Sequence, residues 1–125
     1  MIFRKKFKTK PISLNECWQL KGWRKFKSKK YRLFQDDIAL QLRETDWPYK
    51  SRDLELEAIY RFGFSNRAAD LDNAVKPIQD TLSDLYSWND SKMYGFKASK
   101  LIVPKGKEFI NVTIYTREMS CLSEQ

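Results

Sequence analysis

Between residues 54 and 64 apolar and polar positions alternate, with Leu54, Leu56, Ala58, Tyr60, Phe62 and Phe64 on one side and Glu55, Glu57 and Arg61 among those opposite. A period of two is that of a strand with one face buried. Two further extended stretches lie at about 93–103 and 108–116, the second alternating Ile110, Val112 and Ile114 with Asn111 and Thr113. Pro104-Lys105-Gly106-Lys107 between them suits a turn, so the pair is expected to form an antiparallel hairpin. An opening strand around Ile2 to Thr9 would complete the sheet.

Elsewhere the spacing is helical. Tyr31, Phe34, Ile38 and Leu42 recur along one side from about Lys29 to Glu44, with Asp36, Asp37, Gln41 and Arg43 left for water. Thr45-Asp46-Trp47-Pro48 is the expected stop, because proline pushes the preceding residue out of the helical region. Val75, Ile78, Leu82 and Leu85 mark a second helix running to about Tyr86, its start held near Pro77 because proline is tolerated in a first turn and breaks an interior. The sum is an α/β or α+β single domain, a small mixed sheet of about four strands with two main helices packed on it, spanning 1–118 before a polar tail at 119–125. No internal repeat or low-complexity tract interrupts it.

Composition narrows the classes. With 42% hydrophobic and 14% aromatic residues in a chain of 125, a modest core is affordable and wholesale disorder is excluded. A domain of this size leaves much surface wet, which permits a second copy to cover some of it. The chain has 2 Cys, Cys17 and Cys121, and no His, so neither a disulfide framework nor a Cys/His zinc cluster can be built. No apolar run approaches the roughly 18 residues of a membrane span, and MIFRKKFKTK lacks a signal-peptide core, so the expected location is the cytoplasm.

Charge is the stronger signal. The net value is +8, and residues 1–35 hold 12 Lys or Arg against one acid, Glu16. A polyanion is the partner this implies, because each phosphate neutralised releases condensed counterions. Lys21 to Arg32, KGWRKFKSKKYR, interleaves cations with Trp23, Phe26 and Tyr31, a mixture that contacts phosphates and stacks on unpaired bases, or a loop whose aromatics anchor it to the core.

Candidate chemistry concentrates in Asp70-Leu71-Asp72-Asn73-Ala74-Val75-Lys76, with Asp90 further on. If the chain is still extended at Asp70 to Asp72, both carboxylates face one point, and two adjacent anions are best reconciled by a hard cation such as magnesium. Lys76, one helical turn beyond Asp72, would steady the charge of a phosphodiester transition state, and Asp90 would return a third carboxylate if the fold brings its loop alongside. The plainer alternative is that Asp72 or Asn73 caps a helix beginning near Ala74, that Lys76 pairs with Asp80, and that Asp90-Ser91 is turn chemistry.

The run DLDNAVKPIQDTL followed by WNDSKM resembles the RusA Holliday-junction resolvases of bacteria and their phages, whose pattern is D-x-D-N-x-x-K-x-x-x-D-x-L before an acidic loop. Asp70, Asp72, Asn73, Lys76, Asp80 and Leu82 match it. KPISLNECW resembles the family's first strand end and turn, with Asn15 at its asparagine, and YRLFQDDIALQLR its first helix, so the likeness covers about residues 7–115. Many members carry two aspartates in the acidic loop, where this chain has Asn89-Asp90-Ser91. Aligned backward from the next strand Asp90 takes the essential place; aligned forward from Trp88, Ser91 does.

The resemblance implies a homodimeric endonuclease that recognises four-way DNA junctions by shape and makes two symmetric nicks. Asp70, Asp72 and Asp90 would hold magnesium, or manganese in its place, and Lys76 would assist, with no organic cofactor and no membrane partner. A bacterial or phage origin and a place at the nucleoid go with it. Lys10, Asn15, Arg24, Lys25, Lys27, Lys29, Lys30, Arg32 and Arg67 are the expected DNA contacts. Two other readings compete: a branched-DNA-binding protein without catalysis, such as a silenced prophage resolvase, and a basic domain whose aspartates only cap a helix.

Overall fold

The computed structural model describes residues 3–43 and 54–117. β1 (Phe3–Phe7) leads through a single 3-10 turn (Leu14–Glu16) to β2 (Trp18–Lys21), β3 (Arg24–Lys27) and helix α1 (Lys29–Gln41). Then come β4 (Leu56–Phe64), helix α2 (Leu71–Tyr86), a second 3-10 turn (Asp90–Lys92), β5 (Met93–Ile102) and β6 (Phe109–Thr116). The main sheet has four strands in the order β1-β6-β4-β5, while β2 and β3 form a separate two-stranded ribbon. This is the expected α+β domain with two main helices on a mixed four-stranded sheet.

The core lies between the sheet and the helices. Leu56, Ala58, Tyr60, Phe62 and Phe64 of β4 and Ile110, Val112 and Ile114 of β6 meet Tyr31, Phe34 and Ile38 of α1 and Val75, Ile78 and Leu82 of α2, all buried. At roughly 1.5–3 kcal/mol for each such side chain removed from water, this cluster dominates the favourable side of folding. Tyr60 is wholly buried and its hydroxyl donates to Gln79 Oε1 at 2.8 Å, so its polar end is satisfied. On the opposite face of the sheet Phe109 lies across Gly63, where a Cβ would overlap the ring, and the Lys6 ammonium sits 4.6 Å above the same ring. Gly63 is therefore required by close approach, whatever its backbone angles.

Four expectations are corrected. β5 and β6 are not a hairpin: among the described residues β5 pairs only with β4, in parallel, and β6 lies antiparallel between β4 and β1. The Pro104–Lys107 turn exists, closed by Lys107 N–H donating to Pro104 O at 3.0 Å, but the chain uses it to cross the end of β4, where Val103 N–H donates to Phe64 O. Burial decides the order, because the apolar positions of β6 can all be covered only in a central strand, whereas exposed β5 tolerates the edge.

The basic segment is likewise not a loop but a β-ribbon, turned at Gly22-Trp23 with Gly22 at φ +64. Glycine at the first central position of a two-residue turn is a hairpin signal that the density of cations obscures. Third, α2 begins six residues before Pro77, which therefore stands in the helix interior, fully buried. A helix-interior proline costs about 3 kcal/mol in lost bonding and crowding, offset here by burial of its ring and by the strong start described below. Fourth, Glu57, assigned by alternation to the wet face, is only 4% exposed, and its Oε2 has no hydrogen-bond partner among the described residues. It sits on a central strand, registered against Tyr115 on one side and Gly95 on the other, at a register shift between Leu56 and Glu57 that interrupts the regular pairing with β5.

Helix α1 starts at the expected place, with Ser28 as its cap, and closes at Gln41, before Glu44; the Thr45–Pro48 stop lies outside the described residues. Among the described residues no helix is long and apolar enough to cross a membrane.

Candidate functional site

The β4–α2–β5 crossover sets the positions of all four chemical candidates. Asp70 ends the 65–69 turn in an extended conformation and is the N-cap of α2: its Oδ1 accepts from Asp72 N–H at 3.2 Å and its Oδ2 from Asn73 Nδ2 at 3.1 Å. The cap is thus Asp70, not Asp72 or Asn73, and the helix begins at Leu71, so the chain is not extended through Asp72. Asp72 lies in the first turn, where the unpaired N–H groups and the helix dipole favour an anion. Both carboxylates are exposed at the same end of α2.

The turn carrying Asp70 is held from two sides. Asn66 Oδ1 accepts from Ala68 N–H at 2.9 Å, and Lys100 of β5 donates to Ala69 O at 2.9 Å and Arg67 O at 3.3 Å. Lys76 points its ammonium along the helix to Asp80, 3.1 Å from Oδ2, an i,i+4 surface pair.

Asp90 is elsewhere. The 16 residues of α2, roughly 24 Å of helix at 1.5 Å each, separate its two ends. Ser87 closes the helix in the left-handed region at φ 56, and Asn89 caps the following turn by accepting from Ser91 N–H at 3.0 Å. Asp90 opens that turn and lines a shallow hollow with Ser83, Asp84 and Trp88. Among the described residues no three acidic, cysteine or histidine side chains are grouped to hold a metal. The expected convergence of Asp70, Asp72 and Asp90 therefore does not occur within one chain, and the donors of a single copy do not fit a three-carboxylate magnesium site.

At the Asp70 end there is instead a cleft of about 310 Å³, bordered by Lys10, Glu16, Lys30, Asn66, Asp70 and Glu108. Two of the expected DNA contacts, Lys10 and Lys30, thus share walls with Asp70. Lys30 pairs with Glu16, whose carboxyl is held below its ordinary value chiefly by that hydrogen bond. Glu16 also closes a capping box, Ser13 Oγ accepting from Asn15 N–H and Glu16 Oε1 accepting from Ser13 N–H. Glu108 is lowered too, first by its own backbone N–H and then by the Ser65 hydroxyl, which donates to it at 2.8 Å.

The remaining expected DNA contacts do not line this cleft. Arg24, Lys25 and Lys27 stand on β3, Lys29 and Arg32 on the first turn of α1, Asn15 in the first 3-10 turn, and Arg67 in the loop before Asp70. The sequence reading missed Glu16, Glu108 and Lys100 as parts of the site. Ser13-Leu14-Asn15-Glu16 is a legible capping-box string, whereas nothing local marks Glu108 or Lys100, which tertiary packing delivers. Of the buried nucleophile candidates, Cys17 has its thiol pushed up to about 11 by burial, which makes it inert. A comparison with known proteins finds no matching family model and no matching curated sequence.

Proposed function

We propose that the protein is a magnesium-dependent endonuclease that resolves four-way DNA junctions by paired nicks, acting as a homodimer whose two sites are each shared between copies. The observation that carries this reading is the position of the D-x-D-N-x-x-K string: it forms the start of α2, at the carboxyl end of a parallel strand, on the wall of a cleft lined by Lys10 and Lys30. Open α/β crossovers bind phosphate-bearing ligands at that location.

A second copy would supply the missing carboxylate. β5 is an edge strand with Tyr94, Phe96, Leu101 and Ile102 each at least 40% exposed, a long apolar edge of the kind that pairs with another strand. Two β5 edges related by a two-fold axis run antiparallel, and Asp90 of each copy would then arrive at the level of the other's Asp70 and Asp72. A bound magnesium would polarise water and neutralise phosphate charge. Asp70 and Asp72 would hold it from one copy and Asp90 from the other, while Lys76, released from Asp80, would face the scissile phosphate.

The test is subunit mixing. Asp72→Asn and Asp90→Asn proteins, each inactive alone on a synthetic four-way junction, regain single-nick activity when mixed, because the mixed dimer holds one intact composite site. No recovery overturns the shared site. A second reading, a branched-DNA-binding protein without catalysis, is favoured by the separation of the carboxylates; wild-type protein that binds junctions and never cuts them in magnesium or manganese would establish it.

A further inference from the structure

We infer that Trp23, at the tip of the β2–β3 ribbon, is a wedge that stacks on the exposed base pair at a DNA branch point and thereby selects branched over linear DNA. The inference deepens the reading above and rests on it for the identity of the ligand as branched DNA.

Three observations meet at this side chain. The first is exposure: Trp23 is 91% exposed, more than any other large hydrophobic residue described, with Leu20 next at 75%. An indole left in water at the end of an arm is unfavourable for the free protein.

The second is stiffness. The base of the ribbon is pinned: Ser28 N–H donates to Cys17 O at 2.8 Å, Ser28 Oγ donates to Glu16 O at 2.6 Å, and the Trp18 and Tyr31 rings meet edge to face at 6.0 Å. At the base too Lys27 Nζ donates to Gln35 Oε1 at 3.0 Å, and from further up β3 the Lys25 ammonium reaches to 4.7 Å from the Trp18 ring centre. Of the aromatics in this segment Tyr31 is core, Trp18 is anchor and Phe26 lies partly exposed on the other face of the ribbon, so Trp23 at the tip is the most exposed of them. Four residues per strand at about 3.4 Å each carry Trp23 roughly 14 Å beyond the pinned end.

The third is charge. From Cys17 to Gln35 the chain has seven Lys or Arg and no acid. Both faces of the ribbon carry cations, Lys25 and Lys27 beside Trp18 and Leu20 on one, Lys21 and Arg24 beside Phe26 on the other. A bilayer would want a single apolar face, and a symmetric contact with a second copy would set like charges together. A polyanion that closes on both faces suits the pattern.

The chemistry then follows from what the two DNA forms offer. An intact duplex has no free base face away from its ends, whereas a branch point interrupts stacking and exposes one. A stiff indole flanked by phosphate-binding cations gains stacking only on the second. The ribbon leaves the protein beside Glu16 and Lys30, which border the Asp70 cleft, so a branch point within reach of Trp23 sets a nearby strand against that cleft.

The test uses the full chain in EDTA, so that binding is read without cutting, with a four-way junction and a linear duplex of matched sequence. Trp23→Ala should weaken junction binding by roughly 5- to 100-fold, the stacking of one base expressed as a ratio, and duplex binding by less than about twofold. Trp23→Phe should keep most of the preference. A 2-aminopurine at the branch should change fluorescence on binding wild type and not Trp23→Ala, while the melting temperature of both variants stays at the wild-type value. Junction preference in wild type that survives Trp23→Ala overturns the wedge and leaves the resolvase reading standing. Absence of any junction preference in wild type overturns both. Equal loss on both DNAs, a shift to monomer in Trp23→Ala, or Trp23-dependent binding to phosphatidylglycerol vesicles with no effect on the junction also overturns the wedge.

Discussion

The two ends of α2 are built to different standards. At the N-terminal end Asp70 satisfies two donors, Lys100 ties down the approaching turn, and a cleft with charged walls opens alongside. At the C-terminal end Ser87 is held in the left-handed region, and Asp90 sits exposed in a short turn with a shallow hollow beside it. One end sets its carboxylates beside a cleft with cations on its walls; the other sets Asp90 beside a shallow hollow shared with Asp84. A helix of 16 residues keeps the groups at its two ends roughly 24 Å apart within one copy, which is why the proposed site draws on two.

Stability measurements can sharpen this contrast. The largest effect is expected for Asp70→Ala, which removes the helix cap and should cost about 1 kcal/mol, a few degrees in thermal melting, while Asp70→Asn retains most of it. Asp90→Ala should fall within about 0.5 kcal/mol of wild type, since Asn89 is the cap there; an equal loss at both positions would erase the distinction. Next, Ser87→Gly should stabilise, by up to about 1 kcal/mol in urea unfolding, because glycine adopts positive φ without strain. The two ends of one helix would then respond with opposite sign.

A separate effect concerns the cleft wall. Glu16 has a depressed folded-state pKa, so its contribution to stability is present above its ordinary value of 4.5 and is lost as the pH falls through the lower folded value. The Glu16–Lys30 pair is about half exposed, which limits the contribution to at most about 1 kcal/mol. Melting curves of Glu16→Gln should therefore lie slightly below wild type at neutral pH and converge with it in acid. A gap that persists at low pH would assign the effect to the capping box and not to charge.

Much of this molecule is legible in its residues taken in order. Alternation located β4 and β6 to within two residues, the 3.6-residue stripe located α1 and α2, and the D-x-D-N-x-x-K string marked the end of α2 where the cleft lies. Those signals are local, because side-chain periodicity and capping depend on neighbours along the chain. Strand order is not local: whether β6 pairs with β5 or slips between β4 and β1 depends on which strand must be covered on both edges, a competition among distant segments. The same holds for Asp90. Its distance in sequence from Asp72 is compatible with contact, and it is the 16-residue run of α2 between them, packed on the sheet, that keeps the two apart within one chain.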